Sequence, residues 1–452
     1  MNVRMFIKTL RSIRELRKHE HWTRPQLIAH QGNALRKLRN YAYIYSPFYQ
    51  HFHQGLFDHP LQDLPVLTKS IMMENFNELV TDSSIRLDEV RAFADQSVED
   101  RLFHDKYWVT ATSGSSGHPG FFLFSEPEWL QIVASFARGQ EWSGAKVSVF
   151  RRRKMATVAS ISPWHMSSQV ASTAKTWWTP SIRLPASDSL ESIVQRLNEW
   201  QPAILIAYAS MARILADEQL AGRLHIQPRK TFTSSEVLTD ETRRRVKMTW
   251  GDEPFNQYGA TEAADIAAEY KSCRHMHLFE DLIIVEVVDE HYQPVPIGTY
   301  GAKLLVTTLF SRTQPLIRYE LNDSVRLSIE PCASGLPFAL LESIQGRVED
   351  SLSLPAKSGG RVVIQPLVFN RIMDILPVNG WQIVQDADDN LTVLLSGVRN
   401  GVVDAALVDH LKQALKEQGA QVPSIQVQRV LTIPKTTAGK ASLIKTSNSS
   451  RS

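Results

Sequence analysis

The chain has 452 residues, more than one ordinary domain of roughly 100–200 residues holds. Its 43% hydrophobic and 21% charged composition excludes a disordered or fibrous chain, and a net charge of +3 gives no case for nucleic acid as partner. Two cysteines cannot form a disulfide framework, so a reducing, cytoplasmic setting is expected. No apolar run reaches the ~18 residues of a membrane span. The best candidate, Ala203 to Ala216, is short and carries Arg213.

The N-terminus lacks the apolar core of a secretory signal and reads as a basic amphipathic helix. Phe6, Ile7, Leu10, Ile13 and Leu16 share one face, ringed by Arg4, Lys8, Arg11, Arg14, Arg17 and Lys18. Docking on the body is the plainer reading and peripheral membrane contact the alternative. A helical run over Leu27 to Tyr49 stops at Ser46-Pro47. A loop then leads to a helix begun near Thr68. From Tyr107 onward short β-branched runs (YWVTAT, ATVASIS, AILIAY, KTFTSS) alternate with helices over Pro127–Gly139, Ser189–Trp200 and Thr239–Trp250. Such alternation predicts α/β layers with parallel strands. Between Leu282 and Leu327, Pro294, Pro296 and Gly298 punctuate a predicted antiparallel meander. A boundary is expected near Arg347–Ser353. Beyond it lies a compact α+β unit: a helix from Pro366, strands WQIVQD and LTVLLSG, a helix Asp404–Glu417 and a strand SIQVQRVL. The fold class is therefore a large layered α/β domain with a β-rich meander, residues 1–348, and a small mobile α+β domain, residues 349–452.

Several short motifs carry chemistry. TATSGSSGHPG, Thr110 to Gly120, is a flexible turn rich in hydroxyls and backbone N–H donors, of the kind that wraps polyphosphate. It lacks the Gly-Lys-Ser/Thr of a Walker loop. A mobile surface turn is the bland alternative. NQYGATEAAD, Asn256 to Asp265, offers an aromatic to stack on a base, a hydroxyl for phosphate and a carboxylate for Mg²⁺. Its alternative is a helix N-terminus capped by Thr261. In PLIRYELNDSVRL, Asp323 follows a strand and can accept both ribose hydroxyls, or be a plain turn residue. ESIQGRVEDSL is a Gly-Arg turn near the boundary, and IPKTTAGKASLIK puts a Gly-Lys on a late loop.

In order, these segments resemble the adenylate-forming superfamily of acyl- and aryl-CoA ligases, most nearly the phenylacetate-CoA ligase family and its capsule-biosynthesis relatives. YIYSPFYQHF and LPVLTK are similar to that family's N-terminal segments. TSGSSGHPG resembles its TSGTTGKPT, and TSSEVLTDETRRRV its adenine segment. QYGATE resembles YGltE, and HLFED resembles HiwED. TTLFSRTQPLIRYELND, IQGRVED and IPKTTAGKA resemble later motifs. The likeness spans nearly the whole chain. It implies that a carboxylic acid, aromatic or acyl, is joined to ATP with Mg²⁺ as an acyl-adenylate and then passed to a thiol such as CoA.

The resemblance implies that Thr112, Ser113, Gly114, Ser115, Ser116 and Gly117 hold the departing phosphates. Ser235 and Glu236 lie at adenine, Tyr258 stacks on it with Gly259 also in the nucleotide site, and Thr261 meets the α-phosphate. Glu262 binds Mg²⁺, Asp323 the ribose, and Arg347 lies near ribose and phosphate. Lys440 bridges carboxylate and α-phosphate, on a lobe that rotates between the half-reactions. PWHMSSQ, with Trp164, His165 and Met166, is the acyl-pocket segment by position, or plain core.

The chain departs from the family in places. His118 stands where the loop usually has Lys, Asn322 where Gly precedes the Asp, and Glu349 where the hinge has its first Asp. The segment PAKSGGRVVIQP rewrites the glycine-rich run that shapes the thiol tunnel. The acceptor is thus CoA, a carrier-protein thiol, an amine or a sugar, and a non-catalytic ATP-binding relative stands as the rival reading. A homodimer is compatible with the sequence. Some members of the family carry zinc, and the matching positions here are Cys273, His277 and Cys332, with Ser334 in place of a second Cys and His275 as a fourth candidate. The alternative is a relic site with ordinary reduced cysteines.

Overall fold

The computed structural model describes residues 3–96, 101–112, 119–145, 152–160, 162–174, 179–347, 351–399, 404–433 and 443–446. Its centre is a nine-stranded sheet. From one edge the strands run Asp323–Leu327, Leu340–Arg347, Met276–Leu278, Ala264–Glu269, Phe255–Ala260, Lys230–Ser234, Ile204–Tyr208, Met155–Ala159 and Ser181–Pro185. The last five are mutually parallel, and each step from Phe255–Ala260 toward the other edge is antiparallel. The parallel half follows from its connections. Helices Leu190–Trp200, Ala209–Leu220 and Asp240–Trp250 each separate two strands, so each crossover returns the chain in the same direction. Ser189 and Thr239 cap two of these helices by accepting from the N–H groups of Ser192 and Thr242, and Thr68 caps Lys69–Glu74 in the same way. The expected meander is a three-stranded antiparallel sheet of Ile283–Val288, Lys303–Thr308 and Tyr319–Leu321.

The N-terminal helix Val3–His19 docks on helix Glu126–Trp142, as the plainer reading has it. Lys8 pairs with Glu126 at 2.6 Å and Arg17 with Glu141, while Ile13 and Leu16 are buried. Ile7, placed on that apolar face by periodicity, is 49% exposed, because the buried stripe is narrower than the sequence pattern. A buried pair anchors the end of this helix. Arg138 donates to both oxygens of Asp281, at 2.8 and 3.0 Å, and His19 Nδ1 lies 2.7 Å from the same carboxylate. Burial alone would raise the Asp281 carboxyl, but Arg138 and His19 hold it down to about 2.

Residues 351–446 contain an α+β unit with its own apolar cluster, drawn from Leu352 to Ile444. Four strands are ordered Ile425–Val430, Leu391–Ser396, Gly380–Gln385 and Ile444–Thr446. Helix Asp404–Glu417 buries Leu407, Leu411 and Leu415 in that cluster. The unit meets the body through polar contacts. Arg213 donates to the Val378 carbonyl at 3.1 Å, Arg399 to Glu218 at 2.9 Å, and Thr239 to Asp374 at 2.5 Å. Among the described residues no helix is long and apolar enough to cross a membrane.

Candidate active site

Parallel strands gather side chains at their carboxyl ends, where the chain turns into helices or hairpins. Here the ends of Ile204–Tyr208, Lys230–Ser234 and Phe255–Ala260 bring Tyr208, Ser235, Glu236, Tyr258, Thr261 and Glu262 to one edge. Ser235 is exposed with φ +66, a left-handed kink that ends its strand. Glu236 accepts from the Ser210 N–H at 2.8 Å, which ties this turn to the start of helix Ala209–Leu220.

Tyr258 and Gly259 lie in a strand that folds back through Thr261, Glu262 and Ala263 into Ala264–Glu269. Thr261 is therefore in a hairpin turn, and the helix-cap alternative for this segment is overturned. Gly259 is required there, because a Cβ would stand 2.6 Å from the Ala264 carbonyl. The Tyr258 hydroxyl donates to Asp323 Oδ2 at 2.8 Å. Asp323 opens the strand that pairs with Leu340–Arg347, directly opposite Arg347, and Arg347 Nε lies 3.7 Å from Asp323 Oδ1. Burial and the neighbouring Asp323 carboxylate keep the Tyr258 phenol well above its ordinary range. Glu262 is 8% exposed. Burial raises its carboxyl above the usual carboxylate range, with Arg347 pulling the other way.

The loop expected to hold phosphates is framed by strands Trp108–Ala111 and Phe121–Phe124. Thr112 pins its mouth twice. Its N–H donates to the Gly120 carbonyl at 3.0 Å, and its hydroxyl accepts from the Gly120 N–H at 2.8 Å. Ser113, Gly114, Ser115, Ser116, Gly117 and His118 lie outside the described residues, as do Glu349 and Lys440. Sequence reasoning gave no role to Lys69. A Cβ on Gly120 would sit 3.4 Å from Lys69 Cε, and the Lys69 ammonium acts electrostatically on Glu262. The cation thus lies between the loop base and the hairpin turn. LPVLTK was legible as a motif, but only the fold brings its lysine here. Met166 is buried, and the half-buried Trp164 packs on Phe93 with ring centroids 5.5 Å apart.

At the edge of the sheet Cys273, His275 and Cys332 place their ligand atoms within 4.8 Å of one another. The expected trio contained His277 where His275 stands. His277 is fully buried, 3.4 Å from Cys273 Sγ through Nε2, and its Nδ1 lies 3.3 Å from the Phe338 carbonyl. Burial lowers the His277 imidazole to about 4, so it is neutral at pH 7. The two thiols move in opposite directions: burial and the neighbouring Cys332 push Cys273 up to about 11, while hydrogen bonding with Ser334 and Cys273 holds Cys332 down at about 7 against its own burial. A neutral imidazole, a second histidine and a thiol poised to ionise are a donor set that fits Zn²⁺.

No protein-family model matches the chain. Protein CapK of Staphylococcus aureus is 25% identical over 389 residues, covering 82% of this chain and 80% of that protein. A phenylacetate-coenzyme A ligase of Thermus thermophilus is 28% identical over 179 residues, 37% of this chain and 40% of the ligase. Among solved structures, 2-hydroxyisobutyryl-CoA ligase in its postadenylation state, in complex with 2-HIB-AMP, superposes with a TM-score of 0.71 at 19% identity. That match covers 94% of this chain and 91% of the other. Anthranilate CoA ligase in complex with anthranoyl-AMP gives a TM-score of 0.51 at 14% identity, over 74% and 65% of the two chains.

Proposed function

We propose that this chain, which belongs to the adenylate-forming, phenylacetate-CoA ligase-like family with its capsule relatives, is an AMP-forming acid–thiol ligase. The observation that carries the reading is the Tyr258–Asp323–Arg347 constellation beside the buried Glu262, at the carboxyl edge of the sheet. Asp323, oriented by the Tyr258 hydroxyl, accepts the ribose hydroxyls. Arg347 neutralises the nearby phosphate. Ser235 and Glu236 border adenine, and Tyr258 and Gly259 give it a flat wall. Thr261 donates to the α-phosphate.

The chemical difficulty is that a carboxylate must approach a polyanion. ATP supplies the AMP group and the pyrophosphate that leaves. Glu262 would hold Mg²⁺, which lowers the charge the acid meets. Lys69 adds a fixed cation from the body, and Lys440 a second from the small lobe. Thr112 closes the loop of Ser113, Gly114, Ser115, Ser116 and Gly117, whose N–H and hydroxyl groups take the departing phosphates. Residues 1–348 form the body and residues 349–452 a lid, whose separate apolar cluster suits motion as a unit. Cys273, His275 and Cys332 hold zinc in a structural role, with His277 at hand.

Pyrophosphate release from ATP with a panel of aromatic and aliphatic acids, with and without CoA, tests the proposal. Acid-dependent release with CoA-dependent thioester is the expected result. Release without thioester would move the acceptor from CoA to a carrier-protein thiol or another nucleophile. No acid-dependent release from any member would overturn the reading.

A further inference from the structure

The small lobe docks on the body through residues 374–379 and Arg399, and the body groups it meets have partners of their own. Those groups belong to one pair of helices, Ala209–Leu220 and Asp240–Trp250, which pack side by side, and to the Thr239 cap. Arg213 and Arg245 donate to the carbonyls of Val378 and Ile375 at 3.1 and 3.2 Å. Thr239 donates to Asp374 at 2.5 Å, and Arg399 of the lobe donates to Glu218 at 2.9 Å. Withdrawal of the lobe leaves each body group with a neighbour. Glu218 still accepts from Arg223, and Arg245 still donates to Asp217 and Glu241. Thr239 still accepts from the Thr242 N–H, and Arg213 stays 3.6 Å from Asp217. On the lobe, Arg399 keeps Asn379 in reach at 3.4 Å. Polar contacts that water or a standing neighbour can replace break and re-form with little net change, unlike an apolar seam. The apolar cluster of the lobe draws no member from the body.

The same helices carry the proposed adenine wall at their starts. Ala209–Leu220 follows strand Ile204–Tyr208 directly. Glu236, which accepts from the Ser210 N–H at 2.8 Å, lies shortly before Thr239. A lobe seated here is seated on the frame of the nucleotide site. On the lobe side, the docked segment runs into strand Gly380–Gln385, where described residues on either side of Lys440 in sequence are anchored. A Cβ on Gly380 would stand 3.1 Å from Ile433 Cγ1, and the Leu443 carbonyl accepts from the Ile383 N–H at 2.8 Å. Docking at 374–379 therefore sets where both anchors stand relative to the adenine wall, and release carries them away together.

We propose that the Arg399–Glu218, Asp374–Thr239 and Arg213–Val378 contacts form a polar latch that positions the lobe for adenylation and opens before the thiol step. This rests on the carboxylate-activation reading above. The test uses the full chain with Arg399→Ala and Asp374→Ala, singly and together. Small-angle X-ray scattering of the chain without ligands reads the lobe position, and the double variant should have the larger radius of gyration. The chemistry is read with the acid that releases most pyrophosphate in the panel above. Each single variant should slow that release about 3–10-fold, the range of one partly exposed charge-assisted bond. The double variant should slow it about 10–10²-fold if the two contacts act independently. Thiol transfer from the supplied adenylate of the same acid should stay within about twofold of wild type. Arg399→Lys, which keeps the charge, should recover much of the loss. Added salt should slow wild-type release more than that of Arg399→Ala, where the screened pair is already gone. Unchanged scattering in the double variant overturns the inference, as does an equal fall in the two half-reactions, which would make the contacts merely structural. A larger radius with no acid-dependent pyrophosphate release from wild type supports the latch as a lobe contact and sinks the activation reading. Acid-dependent release with the ratio of half-reactions unchanged across the variants does the reverse.

Discussion

Asp323→Ala separates binding from folding at the proposed nucleotide site. Asp323 is 8% exposed and accepts the Tyr258 hydroxyl at 2.8 Å. Its loss removes the acceptor for two ribose hydroxyls. Each charge-assisted bond is worth about 1.5–3 kcal/mol, and each 1.4 kcal/mol about tenfold in affinity. ATP binding should therefore weaken by about 10²-fold or more. The same change strands the Tyr258 hydroxyl without its partner, at a cost to stability of about 1–3 kcal/mol. Arg347 contributes little to that cost, because its side chain is 51% exposed and 3.7 Å from the carboxylate. Adding Tyr258→Phe removes the stranded hydroxyl, since replacing both partners of a buried bond is close to neutral. The double variant should then recover about 1 kcal/mol or more in urea unfolding, while ATP affinity by calorimetry stays lost. That divergence is the signature of a ligand contact within a structural pair. Affinity that recovers in step with stability would refute the reasoning, as would Asp323→Ala binding ATP within about threefold of wild type.

Four further predictions concern charge and metal. Glu262 has a folded pKa raised by burial, so between its unfolded value near ~4.3 and that raised value the folded state binds more protons than the unfolded one. Its contribution to stability falls as pH rises through this window. Glu262→Gln should gain on wild type in urea unfolding from pH 4 to 8 while losing pyrophosphate release, and parallel pH profiles would exclude the argument. Lys440→Ala should slow adenylation by about 10²–10³, with Lys435→Ala near wild type and thiol transfer from supplied acyl-adenylate unaffected in both. Lys69→Ala should slow adenylation alone as well, and equal loss in the two half-reactions would return either lysine to a structural role. Purified protein should contain one zinc per chain, and Cys273→Ser or Cys332→Ser should abolish it. Zinc-free protein with both thiols freely titratable would establish the relic site.

Much of the fold was legible because it is written locally. Thr68, Ser189 and Thr239 mark helix starts by side-chain chemistry alone, and the β-branched runs ending at Tyr208 and Ser234 read directly as strands. The hairpin after Tyr258 was not fully legible. Thr-Glu-Ala-Ala-Asp is a good helix start on propensity, and Ala is a poor strand former. Yet Ala264–Glu269 is buried at every position, and pairing on both edges outweighs the preference of its residues. The same limit hid Lys69. Lys69 reaches Gly120 and the field of Glu262 only through the fold, and no spacing rule joins them. His275 and His277 both offer a ring near Cys273 at two-residue spacing, so the sequence could not choose between them. Asp265 is the sharpest case. An acidic residue after a turn reads as solvated surface, and here the bulge turns it inward beneath a helix, where burial holds its carboxyl well above the usual carboxylate range against the pull of Arg138. A residue that breaks the inside-outside pattern at a cost to stability belongs to function sooner than to the scaffold. In this fold such departures cluster on the hairpin between Asn256 and Glu269, whose turn carries Thr261 and Glu262, the residues proposed to meet the nucleotide and its metal.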